Sequence, residues 1–136
     1  MESLFSTDIK SIEGSLLAVL NALKCLRVAL VKSEYELQDK IKEEFEKHHI
    51  LFEKEYKLGP RNRVDFLVHP GIVVEVKRGL KKPNWSNVMQ QLTRYASYDE
   101  VSSVILVVER NLTLPDKING KPCFSFGLNK NWGIAL

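Results

Sequence analysis

The spacing of apolar residues changes near residue 50 from a helical period to a strand-like period. Upstream, apolar residues recur every three or four positions, as in amphipathic helices: Ile9, Ile12, Leu16, Val19, Leu20, Leu23, Leu26 and Leu30, then Leu37, Ile41 and Phe45. Downstream, alternating and β-branched runs predict strands over 51–58, 63–68 and 72–77. The turn sequence His69-Pro70-Gly71 joins the last two runs, so an antiparallel meander is predicted.

A helix over about 84–98 and a buried strand over 104–108 are predicted after the meander. Because this strand follows a helix, we expect it to pair parallel to its neighbour. Residues 110–121 are predicted to form a loop, and 123–128 and 132–136 short strands. The order α, α, β, β, β, α, β with a β tail predicts an α/β fold, in which helices flank a mixed central sheet.

The two predicted N-terminal helices differ in character. The first, over 8–32, has an apolar stripe wider than a surface helix needs, so it is either deeply buried or half of a dimer interface. The second starts at Ser33, where Ser33 and Glu36 fit a capping box. We expect one domain of 136 residues, with a core over 33–108 and a C-terminal β extension over 109–136.

Length and composition exclude several classes of protein. The chain is long enough to bury a core without a disulfide or zinc staple. Its two cysteines, Cys25 and Cys123, have neither metal-ligand spacing nor the pattern of a disulfide framework. No apolar run is long enough to span a bilayer and no signal peptide is evident, so we predict a cytoplasmic protein without a membrane partner.

Charge is distributed unevenly along the chain. Residues 33–49 carry six acids and three bases, whereas residues 54–82 carry eight bases and three acids. A basic block of this kind is where a nucleic acid would bind, because neutralisation of phosphates provides most of its affinity. The alternative interpretation is an ordinary solvated surface.

Three polar residues stand in otherwise apolar strands: Asp65, Glu75 and Lys77. A hairpin that turns at 69–71 places Asp65 roughly opposite Glu75, and Glu75 and Lys77 project from the same face because they are two positions apart. Two carboxylates could hold a hard divalent cation, Mg²⁺ with Mn²⁺ as a substitute, beside an ammonium group. This set suits phosphodiester hydrolysis, whereas the alternative interpretation is a solvent-exposed ion pair.

These residues make the sequence resemble the PD-(D/E)XK nuclease superfamily over about 36–108. Asp65 matches the metal-binding aspartate, with Val64 where the family name has proline. The segment 75–77, Glu-Val-Lys, matches the E-x-K element, and Gln91 and Tyr95 match the Q-x-x-x-Y helix motif of RecB-like members. The element order αβββαβ also matches, which implies a restriction-endonuclease-like core with an extra N-terminal helix.

The resemblance implies a role for each matched residue. Asp65 and Glu75 would bind the metal, with help from the Val76 carbonyl, and Lys77 would be the catalytic lysine. Gln91 and Tyr95 would orient these groups. Glu36 matches the acid on the preceding helix that completes the metal site, but it has a rival role in the capping box. The residues expected to contact phosphates are Arg61, Arg63, Arg78, Lys81 and Lys82.

The function implied by the resemblance is that of a Mg²⁺-dependent endonuclease on branched or duplex DNA, similar to Holliday-junction resolvases or to RecB-like enzymes. RNA remains open as a substrate, and we expect a homodimer of bacterial, archaeal or phage origin. No Gly-rich phosphate loop is present, so no nucleotide cofactor is expected. The alternatives are a non-catalytic nucleic-acid-binding module of the same fold and a structural interaction domain.

Overall fold

The fold has three helices and six strands, in a computed structural model that describes residues 14–26, 33–78, 85–109 and 113–128. The elements in chain order are α1 (14–24), α2 (Glu34–Lys47), β1 (Phe52–Gly59), β2 (Asn62–Val68), β3 (Ile72–Lys77), α3 (Trp85–Ala96), β4 (Ser103–Val108), β5 (Lys117–Ile118) and β6 (Lys121–Gly127). The α/β class predicted from the sequence is confirmed.

All six strands belong to one mixed sheet in the order β1-β2-β3-β4-β6-β5. The first three strands form the predicted antiparallel meander. Strand β4 pairs parallel to β3, as predicted, and β6 pairs parallel to β4. Strands β3 and β4 lie at the centre and are buried on both faces, except for Lys77 at the end of β3.

The C-terminal part differs from the prediction in one place. The two-residue strand β5 lies within 110–121, which was predicted to be loop, and pairs antiparallel with β6. A strand of two residues is too short to produce an alternating pattern, so the sequence signal for it is absent. The strand predicted over 132–136 lies outside the described residues.

Two apolar clusters cover the two faces of the sheet. One contains the buried residues of α1 and α2 together with Phe66, Val74 and Val76. The other contains those of α3 together with Val64, Val73 and Leu106. The result is a three-layer arrangement, with α1 and α2 on one face and α3 on the other.

The N-terminal helices owe their positions to their apolar faces. In α1, Val19 and Leu23 are fully buried in the cluster shared with α2, so burial within the chain accounts for the described part of its apolar stripe. Positions 8–13 and 27–32 of the predicted helix lie outside the described residues. The homodimer remains a prediction. In α2, Ser33 is the N-cap as predicted, and its hydroxyl accepts a hydrogen bond from the backbone N–H of Glu36 at 3.0 Å. None of the helices in the described part of the chain is both long and apolar enough to span a membrane.

Candidate active site

The pairing of β2 with β3 stops where the two acidic residues meet. The ladder pairs Val68 with Ile72, Leu67 with Val73 and Phe66 with Val74, so the next positions, Asp65 and Glu75, lie opposite each other. Beyond this point, side chains replace the backbone ladder.

At the end of the ladder, each acidic side chain bonds to the backbone of the neighbouring strand. The N–H of Asp65 donates to Oε1 of Glu75 at 3.0 Å, and the N–H of Val76 donates to Oδ2 of Asp65 at 2.8 Å. The structure therefore brings the two carboxylates together between the strands, and backbone hydrogen bonds hold them in place.

A local irregularity in β1 and β2 accompanies this arrangement. Phe66 belongs to the cluster under α1 and α2, whereas Val64, two positions earlier on the same strand, packs with the cluster under α3. The sheet faces are therefore exchanged at Asp65. On the neighbouring strand, Glu55 has a φ of 55° and is missing from the β1–β2 pairing, although the register is the same on both sides of it. The carboxylate of Asp65 is directed towards β3, where it accepts from the backbone N–H of Val76.

Lys77 stands at the end of β3, on the same face as Glu75. Its Nζ lies 3.6 Å from Oε2 of Glu75, and a quarter of its side chain is exposed, whereas Glu75 is 2% exposed. The ammonium group is thus held beside the buried carboxylate and still reaches solvent. An approaching anion could contact Lys77 without displacing any described side chain from the core.

Helix α3 adds a buried tyrosine to the group. Tyr95 is 1% exposed, and its hydroxyl donates to the carbonyl oxygen of Arg63 at 2.9 Å and lies 3.4 Å from Oε2 of Glu75. Burial and, after it, the charge of Glu75 raise the pKa of Tyr95, so the phenol stays protonated and can donate. The amide of Gln91, one turn earlier, interacts with the same hydroxyl and partly offsets this rise in pKa.

The electrostatics of the site are dominated by two neighbouring carboxylates with little solvent. Burial and then the nearby charge of Asp65 raise the pKa of Glu75 to about 8. Burial also raises the pKa of Asp65, although the N–H of Val76 and the ammonium group of Lys77 oppose this rise. Ionisation of both acids therefore leaves an excess of negative charge that a bound cation would neutralise.

The donor set at this point is small and consists of oxygen atoms. In the parts of the chain that the structure describes, no group of three or more His, Cys, Asp and Glu side chains is arranged to hold a metal ion. The candidate ligands are the carboxylates of Asp65 and Glu75 and the backbone carbonyl of Val76. Mg²⁺ commonly keeps several water ligands and binds proteins through one or two carboxylates, so this set fits that ion.

The acid that α2 presents to the site is Glu34 rather than Glu36. Oε2 of Glu34 lies 3.4 Å from the backbone N of Arg78, directly after Lys77, and its charge contributes to the raised pKa of Asp65. Residues two positions apart on a helix point about 200° apart, so Glu36 projects away from the side that carries Glu34. Glu34 is thus the acid of α2 whose contact with the site is described, and Glu36 as a metal ligand stays a prediction.

The basic residues predicted to contact phosphates divide into groups. Arg78 forms an ion pair with Glu109, with Nε 2.7 Å from Oε1, so its charge is already neutralised. Arg61 and Arg63 are exposed near the β1–β2 turn. Lys81 and Lys82 lie outside the described residues. Arg94 on α3, which the sequence did not single out, reaches the same turn and donates from Nε to Oδ1 of Asn62 at 3.1 Å.

The carboxylates do not line the surface cleft of about 520 Å³ at the opposite end of β2, which has Leu51, Tyr56, Leu67, His69 and Glu100 among its lining residues. They lie instead at the end of the β2–β3 ladder, beside the partly exposed Lys77. The candidate site is therefore defined by the chemistry of its residues and not by this cleft.

Comparisons of the chain with protein-family models, with curated proteins and with solved structures found no match. A functional assignment therefore depends on the residues of the site and their geometry.

Proposed function

We propose that this protein is a metal-dependent nuclease that hydrolyses phosphodiester bonds in DNA, with Asp65, Glu75 and Lys77 at its active site. The observation that carries the proposal is the meeting of the two carboxylates where the β2–β3 ladder ends, with the ammonium group 3.6 Å from Glu75. Two buried carboxylates repel each other when both are ionised, and this repulsion destabilises the folded protein. A bound cation would offset it.

The carboxylates of Asp65 and Glu75 and the carbonyl of Val76 would hold Mg²⁺ or Mn²⁺, with Glu34 near enough to influence Asp65 through its charge. When bound, such an ion neutralises phosphate charge and makes water more acidic. The protein holds both carboxylates through backbone N–H groups, so they are positioned before any ligand arrives.

Lys77 supplies the positive charge that hydrolysis needs as negative charge accumulates on the phosphoryl oxygens. Tyr95 is a positioning residue, because its hydroxyl links the carbonyl of Arg63 to the carboxylate of Glu75 and thus ties β2 to β3 where their ladder is open. Gln91 supports that hydroxyl from the same face of α3.

The order α2-β1-β2-β3-α3-β4 and the pairing of the four strands are compatible with a restriction-endonuclease-like core, which supports the resemblance noted in the sequence. Branched and duplex DNA remain the substrates that we propose, and assembly as a homodimer would allow both strands to be cut.

The test is cleavage by the full-length protein of a panel: supercoiled plasmid, linear duplex, four-way junction, single strand and RNA. Reactions contain Mg²⁺, Mn²⁺ or EDTA, and Lys77→Ala is compared with Lys42→Ala, which removes an exposed lysine from α2. We expect cleavage of DNA by the wild type and by Lys42→Ala with metal only, and a loss of at least about 100-fold in Lys77→Ala.

Equal cleavage by Lys77→Ala and Lys42→Ala would refute the assigned role of the lysine. A wild type that binds DNA and cleaves nothing in the panel with either metal would refute the nuclease and leave the non-catalytic binding module. A wild type that neither binds nor cleaves would favour the structural interaction domain.

A further inference from the structure

The far end of the β1–β2 hairpin extends beyond the part of the sheet that is paired on both sides. Strand β1 is the terminal strand of the described sheet, and β2 pairs with β3 only over 66–68. Residues 57–63, which we call the hairpin arm, therefore form a two-stranded ribbon beside the candidate active site.

Helix α3 and Tyr98, two residues after its end, hold the hairpin arm at its base and on one face. The hydroxyl of Tyr95 donates to the carbonyl of Arg63, and Asn62 donates to the hydroxyl of Tyr98 at 3.0 Å. Gly59 lies so close to the ring of Tyr98 that a Cβ atom at this position would collide with it. The arm is thus fixed relative to Glu75, which the hydroxyl of Tyr95 also approaches.

The charge of the hairpin arm is entirely positive. Its sequence, Lys-Leu-Gly-Pro-Arg-Asn-Arg, contains three bases and no acid, and Arg94 of α3 adds a fourth base through its bond to Asn62. Within the described part of the chain, none of these four bases forms an ion pair. On the other flank of the site, by contrast, Arg78 is neutralised by Glu109.

The bases occupy the exposed face of the hairpin arm, its tip and the neighbouring side of α3. Lys57 and Arg63 are cross-strand partners, and they alternate with Val64, which packs under α3, so they occupy the opposite, exposed face. Arg94 stands on the side of α3, and Arg61 occupies the tip of the turn.

Arg61 has a φ of 61° and follows Pro60 in the turn, which is the position where a glycine or asparagine is ordinarily favoured. An arginine there adopts a backbone conformation that costs stability, and such residues cluster at functional sites.

We propose that the hairpin arm, together with Arg94, binds the phosphate backbone of duplex DNA next to the bond that is cleaved. This inference deepens the proposed nuclease function and rests on it. Bases on the exposed face and tip of a ribbon, with a further base beside it on α3, can contact phosphates along the border of a groove, and the major groove admits a two-stranded ribbon. A single strand is bound through exposed aromatic rings, and the arm contains no aromatic residue.

The test measures binding of a fluorescein-labelled duplex and of its labelled single strand by fluorescence anisotropy, with the full-length protein in EDTA so that cleavage does not intervene. Arg63→Gln, Arg94→Gln and their combination are compared with Lys42→Gln, which removes the same charge from the exposed face of α2. Arg63→Gln keeps the backbone carbonyl that Tyr95 uses, and the melting temperature of each variant verifies folding.

We expect each arginine variant to weaken duplex binding by roughly three- to tenfold and to reduce the slope of log K against log salt concentration by about 0.9. The double variant should show the product of both losses, whereas Lys42→Gln should remain within about twofold of the wild type, since it lies outside the phosphate contacts.

Duplex binding by the arginine variants that equals that of Lys42→Gln would overturn the inference, and so would a wild type that binds the single strand more tightly than the duplex. Failure of the nuclease proposal has a different signature: wild-type protein would bind the duplex through the arm and leave it uncut in both Mg²⁺ and Mn²⁺.

Discussion

Replacement of Glu75 by glutamine should make the metal-free protein more stable at alkaline pH while it removes the metal site. Glu75 is 2% exposed and faces Asp65, and these surroundings raise its pKa from 4.5 to about 8. Glutamine has nearly the same shape and no charge to bury, so the variant isolates the cost of ionising this one carboxyl group.

The size of the effect follows from proton linkage. A shift of the pKa from 4.5 to about 8 means that the free energy of unfolding is on the order of 5 kcal/mol lower with Glu75 ionised than with Glu75 protonated. Because the folded-state pKa is the higher one, this contribution to stability is fully present below about pH 4.5 and is lost as the pH rises through about 8.

Hydrogen bonding reduces the gain in the variant. The amide group of glutamine has one acceptor oxygen, whereas the carboxylate of Glu75 accepts from the N–H of Asp65 and lies near the hydroxyl of Tyr95. A lost hydrogen bond of this kind costs about 1–2 kcal/mol. We therefore expect a net stabilisation of about 2–4 kcal/mol at about pH 9 and none, or a small loss, at about pH 5.

The assay is urea denaturation in EDTA at about pH 5, 7 and 9, for the wild type, Glu75→Gln and Glu43→Gln, which changes an exposed acid of α2. With Mg²⁺ added at about 100 times its dissociation constant, the wild type should gain about 2.7 kcal/mol and Glu75→Gln almost nothing. A difference between wild type and Glu75→Gln that stays constant from pH 5 to pH 9 would refute the reasoning, because burial of a charge must depend on pH.

Four other substitutions, one of them a control, probe the site and the structure that surrounds it. Tyr95→Phe should cost about 1–2 kcal/mol in denaturation and lower cleavage, because the strands lose the hydroxyl that joins them; unchanged stability and unchanged cleavage together would contradict its positioning role. Gly71→Ala should destabilise the protein by about 2–4 kcal/mol, since φ is 137° and a Cβ atom would collide with a neighbouring carbonyl oxygen. Gly120→Ala is its control, with φ at 76° but open space around it, and should cost only about 1 kcal/mol; equal losses in the two would show that the collision is unimportant. Ser33→Ala should lower stability by about 1 kcal/mol through loss of the N-cap, as measured by thermal melting, and a melting temperature equal to that of the wild type would argue against it.

Much of the site was predictable because its parts are close in sequence. The turn at 69–71 sets the register of the hairpin, and that register alone places Asp65 opposite Glu75. The alternation of a strand then puts Lys77 on the face of Glu75. The helical spacing of Gln91 and Tyr95 likewise follows from α3 alone. These are consequences of local backbone geometry, which the pattern of residue types encodes directly.

The acid of α2 shows where local reasoning fails. Ser33 caps the helix as predicted, but the choice between Glu34 and Glu36 depends on the rotation of the helix about its axis against the sheet. A signal was available, because Glu34 stands three residues before the buried Leu37 and therefore lies close to the apolar stripe, whereas Glu36 is about 100° away from Leu37.

Contacts between distant segments carry no such signal. Arg94 reaches the β1–β2 turn from 32 positions away, and Sγ of Cys25 lies 3.9 Å from Nε2 of His48 although the sequence offered no reason to pair them. The neutralisation of Arg78 by Glu109 joins the ends of two neighbouring parallel strands. Each contact depends on how helices and strands pack on one another.

Short-range periodicity and turn chemistry specify the types of the main elements, the register of the hairpin and the three charged groups at the hairpin's end. These features could therefore be predicted from the order of residues. The depth at which Glu75 is buried depends on the folded structure. The same is true of the helix acid that approaches Asp65 and of the arginines that form no described ion pair. These properties arise from the packing of α2 and α3 on opposite faces of the sheet, and packing is a sum over contacts between residues far apart in the chain.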